Sequence, residues 1–115
     1  MHRSSICAAA IAGVLAIPPP AQAHNYPTAA IADYVFGCMA ANGQTQETLE
    51  KCSCSIDVIS SIIPFEEYEA GETVLRMRQV RGGGEKMALF TETAVAKDAV
   101  DRLRRAQVEA ELRCF

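Results

Sequence analysis

Histidine is nearly absent: the 115-residue chain has two, His2 and His24. A single histidine beyond the leading segment rules out histidine-based metalloenzymes and leaves no Ser–His or Cys–His pair for nucleophilic catalysis. A copper site on an N-terminal His24 would lack the second imidazole that such sites normally use. Basic residues are in short supply too, 11 against 14 acidic ones. A nucleic acid or an anionic membrane surface is therefore a poor fit as main partner, since both select for a basic face. A cationic partner or a metal ion is permitted. No apolar run approaches the roughly 20 residues that a bilayer-spanning helix needs. Cys-x-x-Cys, Cys-x-x-Cys-His and the Asp-x-Asp-x-Asp-Gly calcium loop are all missing, as are repeats of solenoid length and low-complexity tracts. Paired carboxylates could in principle do acid–base work, but no pocket-forming sequence accompanies them. No enzyme and no organic cofactor is expected.

What the chain has first is a secretory signature. Met1-His2-Arg3 leads into the apolar stretch Ile6 to Ile17, then Pro18-Pro19-Pro20 and Ala21-Gln22-Ala23 before the polar His24-Asn25. This reads as a cleaved signal peptide over residues 1–23, followed by one domain over 24–115. The mature chain is expected to be soluble and exported to the periplasm, without membrane insertion. Removing residues 1–23 takes one of the 11 basic residues and none of the 14 acidic ones, which leaves a net charge of about −4. It also takes Cys7, so an even four of the five cysteines remain: Cys38, Cys52, Cys54 and Cys114. In a short exported chain that number implies a disulfide framework, because an oxidising compartment does not keep thiols free. A domain of this size buries little apolar surface, and staples supply what the core cannot.

Hydrophobic spacing then divides the domain into helices. Thr28 can cap a first helix with a stripe of Ile31, Tyr34, Val35, Cys38 and Met39, ended by Asn42-Gly43. Thr45 can cap a second, on which Leu49, Cys52, Ile56, Ile59 and Ile63 recur at steps of three and four before Pro64 stops it. A third runs from Phe65 to about Val80, weakened by Gly71 inside it. After Gly82-Gly83-Gly84 the chain is helical again from about Met87, most clearly beyond Thr93, with Val95, Ala99, Leu103, Ala106, Ala110 and Cys114 on one side. The expected fold is all-α: a small disulfide-stapled helical bundle of three to four helices.

Cys52 and Cys54 diverge by about 200° on a helix, so each needs a distant partner. In an antiparallel hairpin turning near Gly43-Gln44, Cys38 lies opposite about residue 49. Helical rise then puts Cys52 roughly 5 Å from register and Cys54 roughly 8 Å. Cys38–Cys52 with Cys54–Cys114 is favoured, and Cys38–Cys54 with Cys52–Cys114 stays open. A redox or metal-binding dithiol at Cys52-Ser53-Cys54 is the functional alternative. It fits poorly with a mid-helix position and a partner for each sulfur.

The remaining cluster is Glu66, Glu67, Glu69 and Glu72, four carboxylates within seven residues after Pro64. Acidic residues complement a helix N-terminus, and Glu72 can pair with Arg76 one turn on, which would make the cluster ordinary. The alternative is a hard-cation site, since calcium-like and lanthanide ions take several carboxylate oxygens. Such a site would be shallow, incomplete or shared between two chains.

The segments Tyr34-Val35-Phe36-Gly37-Cys38-Met39-Ala40-Ala41-Asn42-Gly43 and Leu49-Glu50-Lys51-Cys52-Ser53-Cys54-Ser55-Ile56-Asp57, with Glu69 through Gln79 and the terminal Cys114-Phe115, resemble a family of small exported four-cysteine proteins. That family is associated with methylotrophic bacteria and their quinoprotein alcohol dehydrogenase systems, and the likeness extends to landiscernin-like lanthanide-binding proteins. The resemblance implies a periplasmic accessory protein that binds or delivers a lanthanide or calcium-like ion to a protein of the quinoprotein dehydrogenase system, with no catalysis of its own. It supplies no ligand motif, so Glu66, Glu67, Glu69 and Glu72 rest on the carboxylate count alone. Asp57 is left aside as part of a solvated face. A helical protein-binding or chaperone-like module without a metal is the alternative, and a thiol carrier a third reading. The sequence sets no oligomeric state.

Overall fold

Threonine caps, a glycine and a proline punctuate the chain into its helices. The computed structural model describes residues 13–16, 25–80 and 84–115. The expected cleavage site, His24 and most of the leading segment lie outside these residues. Five α-helices follow in order: α1 (Thr28–Asn42), α2 (Gln46–Ile62), α3 (Phe65–Gln79), α4 (Gly84–Thr91) and α5 (Ala94–Cys114). Among the described residues there is no strand, and the fold is a small disulfide-stapled all-α bundle.

The second helix starts where its cap predicts, with the Thr48 amide donating to Thr45 Oγ1 at 3.1 Å. The first differs. Pro27 precedes α1 and no side chain caps it. Tyr26 secures the entry instead, its hydroxyl donating to Ile63 O at 2.9 Å. At the other end Gly43 adopts φ 121°, which an L side chain resists, and its amide closes the last turn on Met39 O.

One more helix is present than the spacing suggested at most. Thr93 causes the break: its Oγ1 accepts from the Ala96 amide at 3.1 Å and donates to Phe90 O at 3.3 Å, closing α4 and opening α5. Packing of Leu103 at Gly71 then sets which side of α5 faces inward. The buried set is Ala96, Val100, Leu103, Ala106 and Ala110. Val95, expected in the stripe, is 81% exposed, so the true face lies one residue further along in the first turns. A similar exchange occurs on α2, where Thr48 is buried and Leu49 is 36% exposed. The Thr48 hydroxyl shares a hydrogen bond of 2.9 Å with that of Thr45, and a satisfied hydroxyl can be buried at little cost.

The core is built on α5, against which α2 and α3 both pack, while α1 lies chiefly on α2. Ile56, Ile59, Leu103 and Ala106 form its centre, and Tyr26, Ile63 and Tyr68 close one end. Gly71 is essential to this packing rather than a flaw in α3. A Cβ at that position would stand 2.8 Å from Leu103 Cβ and 3.0 Å from Ala99 O, so α3 and α5 cross where only hydrogen fits. Two disulfides complete the frame, Cys38–Cys52 joining α1 to α2 and Cys54–Cys114 joining α2 to the end of α5, each with Cα atoms 5.8 Å apart. Bonds of this kind belong to an oxidising compartment. Among the described residues no helix is long and apolar enough to cross a membrane.

Candidate binding groove

α1 is the least embedded of the long helices. None of its residues is fully buried; Ile31, Tyr34 and Val35 only lean on the core. Because α1 sits on α2 and α3 sits on α5, the two outer helices stand apart over a shared floor. The gap is an open cleft of about 780 Å³. Tyr34, Phe36 and Cys38 form its α1 wall, Tyr68, Glu72, Leu75 and Arg76 its α3 wall, and Glu111 and Phe115 its α5 end. A smaller cleft of about 320 Å³ adjoins it, where Asp33 of α1 faces Glu69, Glu72 and Arg76 of α3.

Aromatic surface and acidic charge meet here. Phe36 is 75% exposed and Phe115 53% exposed. Tyr68 stacks on Phe65 with ring centroids 6.2 Å apart, and Tyr26 meets both rings. Burial raises the Tyr68 hydroxyl above its ordinary range, and Glu72 adds to the effect. Burial likewise pushes Tyr26 up to about 12, with Glu67 contributing. Tyr34 is raised by burial, a hydrogen bond with Ser55 pulls the other way, and Glu72 and Glu111 push it up further. These phenols stay protonated at neutral pH, and Tyr34 and Tyr68 line the groove as apolar bodies with hydroxyl tips.

The four carboxylates after Pro64 do not act as one group. Glu67 turns toward α5 and accepts from Arg102 Nη1 at 2.8 Å. Glu66 is exposed and lines neither cleft. Only Glu69 and Glu72 face α1. The expected Glu72–Arg76 pair is not made within 4 Å; Arg76 Nη2 reaches across to Asp33 Oδ2 at 3.0 Å instead, tying α3 to α1. Among the described residues no three acidic, histidine or cysteine side chains converge as a metal-holding group. Cys52 and Cys54 face apart, each bonded to a distant cysteine, so that pair offers no free thiol. Asp57 is exposed.

Glu72 is the carboxylate most changed by folding. Burial raises its pKa, Arg76 pulls it part of the way back, and Asp33 adds to the rise. The folded protein therefore holds this proton to higher pH than the unfolded chain does. The linked stability is complete below the ordinary value of 4.5 and is lost as pH rises through the raised value. Glu72→Gln is expected to leave the melting temperature unchanged in acid and to raise stability near neutrality by under about 0.5 kcal/mol. Paired thermal melts on either side of that window check this, and a neutral-pH loss would contradict it.

Phe36, Glu111 and Phe115 were not singled out by spacing. Phe36 carried one usable signal, a large aromatic off the apolar stripe of its helix. Comparison of the chain with protein families, curated proteins and solved structures finds no match. The class that fold and groove define is that of a small disulfide-locked α-helical bundle with an open aromatic–acidic cleft.

Proposed function

We propose that this is an exported, periplasmic, non-catalytic binding module that holds an amphipathic segment of a partner protein in the groove between α1, α3 and α5. The observation that carries this reading is the exposure of Phe36 and Phe115 at the mouth of a cleft whose α1 wall is held by a disulfide. Exposed apolar patches rimmed by polar groups mark interaction sites, and an open trough suits a helix laid along it. The test is suppression of client aggregation by the metal-free protein. Phe36→Ala/Phe115→Ala is expected to abolish suppression and, since both rings are exposed, to leave the melting temperature nearly unchanged. An inert wild-type protein would remove the proposal.

A second reading, from the resemblance, is delivery of a lanthanide or calcium-like ion to a quinoprotein alcohol dehydrogenase system. Its support is that Asp33, Glu69 and Glu72 all line the smaller cleft, without yet converging into a metal-holding group. An incoming ion would have to displace Arg76 from Asp33, and Glu66 and Glu67 would have to move to join. Calorimetric titration with lanthanum and calcium decides it, and no heat at micromolar metal ends it.

A further inference from the structure

Two of the three carboxylates on the large groove have no contacting cation. Among the described residues Arg76 is the one basic residue lining it, and its guanidinium is taken by Asp33 at 3.0 Å, while Lys51 Nζ lies 5.8 Å from the Phe115 ring at the edge. Among the described residues Glu72 and Glu111 form no ion pair. They stand on different helices, α3 and α5, and line the groove together with Tyr34 of α1. Around them lie Phe36, Leu75 and Phe115, which offer apolar surface from all three walls. Glu111 is exposed, whereas Glu72 is partly buried with Arg76 offsetting only part of the cost, so an arriving cation relieves Glu72 most and gains a second partner in Glu111. The cleft is a trough rather than an enclosed cavity, which suits a chain segment better than a small molecule that needs most of its surface covered.

Resting on the binding-module reading, we propose that the groove selects a cationic amphipathic helix, whose apolar side packs between Phe36 and Phe115 while Lys or Arg side chains reach Glu72 and Glu111. Phe36 and Phe115 supply affinity and the carboxylates supply the choice of sign. Like charges on the incoming helix would meet Glu72 and Glu111 directly, so rejection of acidic helices is as much part of the site as acceptance of basic ones.

The probes are synthetic amphipathic helices of about 15 residues, long enough to be marginally helical alone, with Leu and Ala on one side and Lys, Gln or Glu on the other. Anisotropy of the labelled peptides is read against the intact disulfide-bonded protein. The Lys peptide is expected to bind at least about tenfold tighter than the Glu peptide, the sum of two modest charge contacts. That margin should shrink as salt is raised. Glu72→Gln/Glu111→Gln is expected to erase the discrimination while leaving the Gln peptide unaffected. Because the salt response is read on the wild-type protein, the result does not hang on the variant folding. Equal binding of the Lys and Glu peptides would overturn the charge selection and leave the groove reading standing. Absence of binding by all three would overturn both. Self-association in sedimentation that Phe36→Ala/Phe115→Ala dissolves would also overturn the proposal, identifying a second copy of this chain as the occupant.

Discussion

Replacing Cys54 and Cys114 by serine is expected to lower the unfolding free energy by about 4 kcal/mol, against about 3 kcal/mol for the corresponding change at Cys38 and Cys52. The difference comes from the unfolded chain. The first bond closes a separation of 60 residues and the second one of 14, and a longer loop surrenders more conformational freedom when tied. For a domain with a net stability of only several kcal/mol, either loss is a large fraction of the whole. The two should also fail differently. Cys54–Cys114 anchors the end of α5, the helix on which α2 and α3 pack, so its removal should loosen the whole bundle. Cys38–Cys52 holds α1, which has no fully buried residue, so its removal should release α1 first and open the groove while α2, α3 and α5 persist. Denaturant unfolding followed by circular dichroism measures the losses, and hydrogen exchange in α1 separates the modes. Equal destabilisation with uniform exchange would refute the ordering.

The second large effect concerns Gly71. Placing alanine there is expected to destabilise the protein by about 1–2 kcal/mol, although alanine is the better helix former by about 1 kcal/mol. Overpacking prevails because the new methyl would meet Leu103 Cβ at 2.8 Å and the Ala99 carbonyl at 3.0 Å, atoms fixed to the backbone of α5. Leu103 itself is 0% exposed and cannot swing away. Gly37 provides the internal control. It too lies within a helix, but a Cβ there would meet nothing within 4 Å. Gly37→Ala is therefore expected to stabilise by about 0.5–1 kcal/mol. Urea denaturation of the two variants gives the comparison directly, and a stabilised Gly71→Ala would show that the α3–α5 crossing can widen freely.

Local rules explain why much of this fold could be read from the chain. Thr45 and Thr93 each place a side-chain oxygen under a free helix amide, Gly43 can turn where other residues resist, and Pro64 blocks a continuing helix; these act over a few residues. The two-residue spacing of Cys52 and Cys54 forces their sulfurs apart on any helix, and that geometry survives folding. Tertiary packing settled what local rules left open. Ala96 and Val100 were preferred to Val95 and Ala99 because the packing of Leu103 at Gly71 sets the rotation of α5. Thr48 displaced Leu49 because Thr45 satisfied its hydroxyl.

The groove was the hardest feature to see in advance. Its walls come from residues 36, 72, 111 and 115, three helices that periodicity treats separately. The acidic run after Pro64 looked like a unit in sequence, yet Arg102 drew Glu67 toward α5 and Asp33 drew Arg76 away from Glu72. Adjacency along the chain overstated adjacency in space.

The placement of four sulfurs on one hub also bears on how the chain matures. As the polypeptide emerges, Cys38 meets two candidates, Cys52 and Cys54, before Cys114 exists to compete. Closing the 14-residue loop to Cys52 is favoured over the loop to Cys54, two residues longer, by only about 0.1 kcal/mol in chain entropy, so encounter alone barely separates them. A mispaired Cys38–Cys54 linkage would turn α2 so that Cys52, which belongs at 0% exposure, stood in solvent and left Ile56 and Ile59 without α5. Thiol–disulfide exchange can escape that trap, because the free Cys52 thiolate lies only two residues from the wrong bond. Arrival of Cys114 then captures Cys54 and makes the choice permanent, so a cysteine made 60 residues later acts as proofreader for the first bond formed.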